Sequence, residues 1–131
     1  METKFNFKSA ICTNRVQSER LLSLGLKKET ADMRWERISE KYAYYPSAKI
    51  PYASSDIPAW SLHRLIEMMP ENVTSDDWLG VSFDEVSYYH GAGEDMIGWK
   101  YYKVGNIYDC IIECYEWLIK EGYFKKEYLE E

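Results

Sequence analysis

Apolar side chains recur along this chain in two rhythms, one of three and four residues and one of two. The clearest three-and-four stripe lies near the end. Ile107, Cys110, Ile111, Cys114, Leu118 and Ile119 fall on one side, and Asp109, Glu113, Glu116 and Lys120 on the other, which predicts an amphipathic helix. Asn106 is its N-cap, Asp109 stands at N3 where a negative charge favours the helix dipole, and Gly122 ends it. Val16, Leu21, Leu22 and Leu24 predict a helix over Arg15–Leu24. Asn14 caps it with Gln17 in capping-box position, and Gly25 supplies the left-handed terminus. Leu26 then packs back, and Lys27 and Lys28 are solvated. A shorter helix is predicted by Leu62, Leu65, Ile66 and Met69, with Trp60 at its start and Pro70 stopping it. His63 and Glu67, four residues apart off that face, suit a surface pair.

Two stretches are less regular. From Ala31 onward, Trp35, Ile38, Tyr42 and Tyr45 recur at helical spacing and predict a helix to about Lys41, while Tyr42, Tyr44 and Tyr45 also favour strand. Pro46 to Pro58 reads as an irregular connector of 13 residues, broken by Pro51 and by the Ser54-Ser55-Asp56 turn chemistry. Loops this long often carry function, which makes Tyr52, with the neighbouring Trp60, a candidate partner-binding residue.

The rhythm of two begins at Val81 and Phe83 and resumes in Val86, Tyr88 and His90. The phase slips near Asp84–Glu85, as a bulge or a break would make it do. Gly91-Ala92-Gly93-Glu94-Asp95 reads as a turn, after which Met96 to Val104 alternates with Ile97, Trp99 and Tyr101 on one face. The expected fold is α+β: a small antiparallel sheet, a hairpin over about 81–104, with three to four helices packed on one face. A two-stranded hairpin alone is marginal in water. The helices, or a further strand from Lys4–Ile11 or from the Tyr-rich segment, are therefore expected to support it.

The length of 131 residues suits one domain, with a charged tail over about 125–131 expected to fray. Twelve Tyr and five Trp bring the aromatic share to 16%. That surplus reads either as a Tyr-rich core and rim or as an exposed aromatic binding surface. A net charge of −6 argues for solubility and against a general nucleic-acid binder, which is normally basic. Cys12, Cys110 and Cys114 are odd in number and match no disulfide framework, so reduced thiols and a cytoplasmic protein are expected. Met1 to Lys8 holds no apolar run, which predicts neither a signal peptide nor a membrane span.

Candidate chemistry is sparse. Cys110 and Cys114 share a helix face, but zinc needs about four ligands. His63 and His90 form no ligand pair, so buried core thiols are the reading. A Cys12 nucleophile would need His63 or His90 beside it, and nothing local places either there. Asp76, Asp77, Asp84, Glu85, Glu94 and Asp95 cluster about the hairpin without the spacing of a calcium loop. With a histidine they offer an alternative function, a small-ligand site or an enzyme. Gly91-Ala92-Gly93 is too short and too acidic to cradle phosphate. Trp99-Lys100-Tyr101-Tyr102-Lys103 interleaves basic and aromatic residues, as a weak single-stranded nucleic-acid face would. Lys100, Tyr102 and Lys103 join Tyr52 and Trp60 as possible partner-binding residues. No catalytic, metal or cofactor-binding residue is assigned.

Three groups of residues, in order, carry a resemblance. They are Gln17-Ser18-Glu19-Arg20-Leu21-Leu22 with Leu24-Gly25-Leu26 and Thr30-Ala31-Asp32-Met33; Ile57-Pro58-Ala59-Trp60-Ser61-Leu62 with Leu65-Ile66 and Met69-Pro70; and Asn106-Ile107-Tyr108-Asp109-Cys110 with Trp117-Leu118-Ile119 and Gly122-Tyr123. Together they resemble a family of small bacterial proteins of unknown function, often encoded in phage-like or mobile regions. The resemblance implies a setting, a small accessory protein, and no activity. The expectation is a non-enzymatic protein that binds a protein partner, with a homodimer also open.

Overall fold

The computed structural model describes residues 10–37, 44–47, 56–91 and 93–131, with the backbone alone for residue 37 and residues 44–47. Ala92 and Tyr52, and the stretches expected to supply a strand over 4–9 or to continue a helix over 38–41, lie outside the described residues.

The last helix, α3 (Ile107–Lys120), is the element the rest packs around. Its buried residues are Tyr108, Cys110, Ile111, Ile112, Cys114, Tyr115 and Leu118. The predicted stripe is therefore real and wider than expected, because Tyr108, Ile112 and Tyr115 join it. The Asn106–Asp109 capping box closes in both directions. Against α3 pack α1 (Arg15–Ser23), α2 (Leu62–Glu67) and one of two three-stranded antiparallel sheets, while the other sheet meets α1.

In α1 the Asn14–Gln17 capping box is also closed, and Gly25 follows at φ +103°, a conformation that costs a side-chain-free residue least. The face that packs inward differs from the predicted one. Val16 is exposed, while Gln17 and Ser18 are buried beside Leu21. The reason is polar. Gln17 Nε2 donates to Asp109 Oδ1 at 2.9 Å, joining the two capping boxes, and Ser18 Oγ bonds Thr13 Oγ1 at 2.8 Å.

The first sheet runs β2-β1-β3, with β1 Met33–Arg37, β2 Tyr44–Ser47 and β3 Ile57–Ala59. The start of the expected helix is thus a strand. Strand partners on both sides override the helical spacing of its apolar residues. The expected irregular connector likewise contributes β2 and β3. Pro46 and Pro58 pair with Trp35 and Arg34 from edge positions, where a residue without an N–H removes no inner ladder bond. Arg34 is buried and pairs with Glu36 at 2.7 Å and Asp56 at 3.3 Å.

The second sheet runs β4-β5-β6, with β4 Asp77–Val81, β5 Val86–His90 and β6 Ile97–Tyr102. The phase slip is a break: β4 and β5 are separate strands, joined by a turn in which Ser82 N–H donates to Glu85 O at 2.9 Å. Phe83 sits in that turn, fully displayed to solvent rather than on a strand face. The hairpin finds its third strand here, in β4, and the Tyr-rich segment pairs with β1 instead.

The tail does not hang free. Its backbone is tied to the α1 terminus: Lys27 N–H donates to Tyr128 O at 2.9 Å and Glu130 N–H to Gly25 O at 2.7 Å. Tyr128 also packs on Phe124, giving the charged segment an apolar anchor. No helix among the described residues is long and apolar enough to cross a membrane.

Candidate partner-binding surface

Successive residues of a strand point to opposite faces, and the register of β4-β5-β6 sorts them. Asp77, Leu79 and Val81 on β4 stand beside His90, Tyr88 and Val86 on β5 and turn toward α3. Trp78 and Gly80 stand beside Tyr89 and Ser87 and turn outward. On β6 the pairing passes from Tyr88↔Lys100 to Tyr89↔Gly98, leaving Trp99 as the extra residue of a bulge. That bulge moves Tyr101 to the opposite face from Ile97 and Trp99, against the simple alternation. Trp99 turns inward, donates its indole N–H to Asp77 Oδ2 at 3.0 Å, and meets Trp117 edge-on at 5.7 Å.

Asp77 fixes this geometry. It is buried, and its other carboxylate oxygen accepts the Val73 and Thr74 backbone N–H groups at 2.9 and 3.0 Å. One side chain therefore ties the approach to β4 to the bulge on β6.

The outward face is aromatic. Trp78, 43% exposed, stacks on Tyr89 with ring centroids 4.7 Å apart and planes 27° from parallel. The Tyr89 ring lies flat across the sheet. A Cβ placed on Gly80 would stand 2.5 Å from one of its ring carbons, and one on Gly98 would stand 3.4 Å from another. Both glycines are thus the floor the ring rests on. Tyr101, 63% exposed, rises beside Ser87, and Ser87 Oγ donates to Glu85 Oε1 at 2.8 Å on the same side. The Trp78 indole N–H donates to no protein group among the described residues.

The residues singled out from sequence fall elsewhere. Trp60 is wholly buried: its indole N–H donates to Thr30 Oγ1 at 2.9 Å, and its backbone exchanges bonds with Thr13. It is a core residue, because that hydroxyl lets the whole ring leave water without an orphaned donor. Lys100 and Tyr102 face α3. Lys100 Nζ lies 5.2 Å from the Trp117 ring centroid and 5.4 Å from that of Tyr102. Burial pushes the Tyr102 phenol up, with Cys114, Glu113 and Glu116 adding to the shift. Lys103 is exposed and pairs with Asp84 at 3.5 Å. The structure does not bring Lys100, Tyr102 and Lys103 onto one open face. A shallow cavity of about 200 Å³ lies between Tyr102, Trp117, Glu113, Glu116 and Lys120. Its two glutamates already hold Arg20, at 2.8 and 2.7 Å.

Asp77 stands across from His90 in the register, and no hydrogen bond or ion pair joins a histidine to a carboxylate among the described residues. His90 stacks on Trp99 at 5.4 Å, Glu67 pairs with Arg64 rather than His63, and Glu85 takes Ser87. No group of three or more His, Cys, Asp or Glu among the described residues is arranged to hold a metal ion. Cys110 is buried with its thiol bonded to the Asp84 and Val104 carbonyls. Burial pushes the Cys12 thiol up to about 11, with Asp32 adding to the shift, and burial pushes Cys114 up to about 12 against the lowering effect of Lys100. Thiols so shifted are protonated at neutral pH and are weak nucleophiles.

Trp78, Tyr89 and Tyr101 were missed as a surface because the bulge was not readable. The available signal was the pair of strand glycines, Gly80 and Gly98, since a glycine inside a strand often marks a close approach. No family model, no curated protein and no solved structure matches the chain.

Proposed function

We propose that this chain is a non-enzymatic accessory protein that binds a protein partner through the outer face of β4-β5-β6. The observation that carries the reading is the Trp78–Tyr89 stack laid over Gly80 and Gly98, with Tyr101 beside it. Among the described residues, other large rings are packed inward with their polar tips satisfied. The Tyr88 hydroxyl donates to Pro70 O, Tyr108 to Ala10 O and Tyr115 to Leu65 O. The outer face is different: two large rings stacked at the surface, which is what interface hot spots are made of. The bacterial or phage setting and a cytoplasmic location belong to this proposal. They rest on the ordered motifs around α1, α2 and α3 and on three buried free thiols.

The test is retention of a partner by the tagged protein from bacterial lysate, with nuclease treatment and moderate salt, beside a Trp78→Ser/Tyr101→Ser variant. A stoichiometric protein retained by the wild type and lost by the variant supports the reading. Equal retention by both places the binding elsewhere and ends it. Nucleic acid recovered only at low salt would favour a charge-driven contact instead.

A further inference from the structure

We propose that the segment received by this face is extended and rich in Arg or Lys. The inference rests on the reading of the outer face as a partner-binding surface, and adds the chemistry of the partner.

The first support is charge. From Leu65 to Trp99 the sequence contains no Lys or Arg, yet it holds Glu67, Glu71, Asp76, Asp77, Asp84, Glu85, Glu94 and Asp95. Three of these are already satisfied: Glu67 by Arg64, Asp84 by Lys103, and Asp77 by its buried hydrogen bonds. Glu71, Asp76, Glu85, Glu94 and Asp95 meet no cation at ion-pair distance among the described residues.

The second support is where those charges stand. Asp76 leads into β4 and Glu94–Asp95 lie in the turn joining β5 to β6. The register sets Asp77 opposite His90 and His90 opposite Ile97, so both segments are at one end of the sheet, next to the Trp78–Tyr89 stack. Glu85 marks the other end, held by Ser87 on the outer side. A guanidinium or ammonium set over the exposed indole is attracted by the ring face and by carboxylates at once. A second copy of this chain would bring the same unpaired carboxylates against themselves, and a phosphate backbone would be repelled.

The third support is the edge. β6 is an outer strand, and its backbone bonds only to β5 among the described residues, whereas the β4 edge already bonds Glu71 O through Leu79 N–H. A partner in extended form can add to that edge by main-chain bonds, which sets alternate side chains over Tyr101 and the neighbouring rings.

The experiment uses the full chain and three labelled extended peptides of equal length, in which Thr and Val alternate with Arg and Lys, with Glu, or with Ser. Binding is read by fluorescence anisotropy at two salt concentrations, and W78S and Y101S are checked for folding by circular dichroism. The basic peptide is expected to bind, with W78S and Y101S each weakening it ~five-fold, the size of an exposed cation–aromatic contact. An E94Q/D95N variant should weaken it and flatten its salt dependence. Basic-peptide binding that W78S and Y101S leave intact would overturn the inference, as would failure of every peptide to bind. The Ser or Glu peptide binding as tightly through Trp78 would also overturn it, while leaving the surface reading standing. A homodimer dissolved by W78S in analytical ultracentrifugation would identify a second copy as the occupant and overturn it too. Loss of the surface reading is distinguished separately, by equal partner retention in the wild type and the double variant.

Discussion

In the first sheet Trp35 donates its indole N–H to Thr13 O at 2.8 Å, and Trp60, directly after β3, donates to Thr30 Oγ1 at 2.9 Å with no surface left to solvent. In the second sheet Trp78 keeps 43% of its surface in water and its N–H meets no protein acceptor among the described residues. A tryptophan is a large apolar body with one donor. Where the fold supplies an acceptor inside, as Thr13 and Thr30 do, the ring serves packing. Where the fold supplies a flat floor of glycine and tyrosine outside, the ring stays in water.

The comparison breaks most easily at Trp60. Trp60→Ala should cost about 3–5 kcal/mol by the lost burial and the cavity left behind. Urea unfolding measures this, and a loss below about 1 kcal/mol would remove Trp60 from the core. Asp77→Ala should cost about 2–3 kcal/mol, because two backbone N–H groups and the Trp99 indole lose their acceptor together. It should also weaken partner binding, since the bulge that sends Tyr101 outward is anchored there.

Alkali sharpens the comparison from inside. Each sheet's side of the molecule covers a thiol, Cys12 raised to about 11 and Cys114 to about 12 from the ordinary 9.0. Below pH 9 both are protonated in the folded and unfolded chain, and the contribution to stability is complete. As pH rises from 9 toward 11 and 12 the unfolded chain ionises first, so stability falls by about 1.4 kcal/mol per pH unit for each thiol. Replacing Cys12 or Cys114 by Ala should remove that share of the slope from urea midpoints measured across the range. The loss should end near pH 11 for Cys12 and near pH 12 for Cys114, and a common end point would show that the two interiors are equally dry.

The smaller effects lie on that face. Gly80→Ala should cost about 1 kcal/mol by lifting the Tyr89 ring, and binding should fall with it. Trp78→Ser should change stability by less than about 1 kcal/mol and still weaken partner binding. A large loss of stability there would make Trp78 another packing residue and erase the contrast.

What was legible in the sequence follows the range of the interactions. The Asn14–Gln17 and Asn106–Asp109 capping boxes are closed by residues three apart, so both helices are announced where they begin. β1 was misread because Trp35 and Ile38 mimic a helical stripe, while the pairing that makes a strand comes from Pro46 and Pro58, far along the chain. On the candidate surface the error was one of phase. Tyr101 and Tyr102 are adjacent, and a single bulge at Trp99 decides which of them meets solvent.

The sequence by itself determined the ends of α1 and α3, the turn after His90, and the stretch from Leu65 to Trp99 that carries acid and no base. Those depend on neighbours a few residues away or on composition alone. Only the tertiary structure decided that Trp60 is sealed in and Trp78 left out, and that Gln17 is buried where Val16 is not. Each of those outcomes turns on an acceptor supplied by a distant residue, Thr30 for Trp60 and Asp109 for Gln17. Burial of a polar tip is settled by whether such a partner arrives, and spacing along the chain carries no record of that.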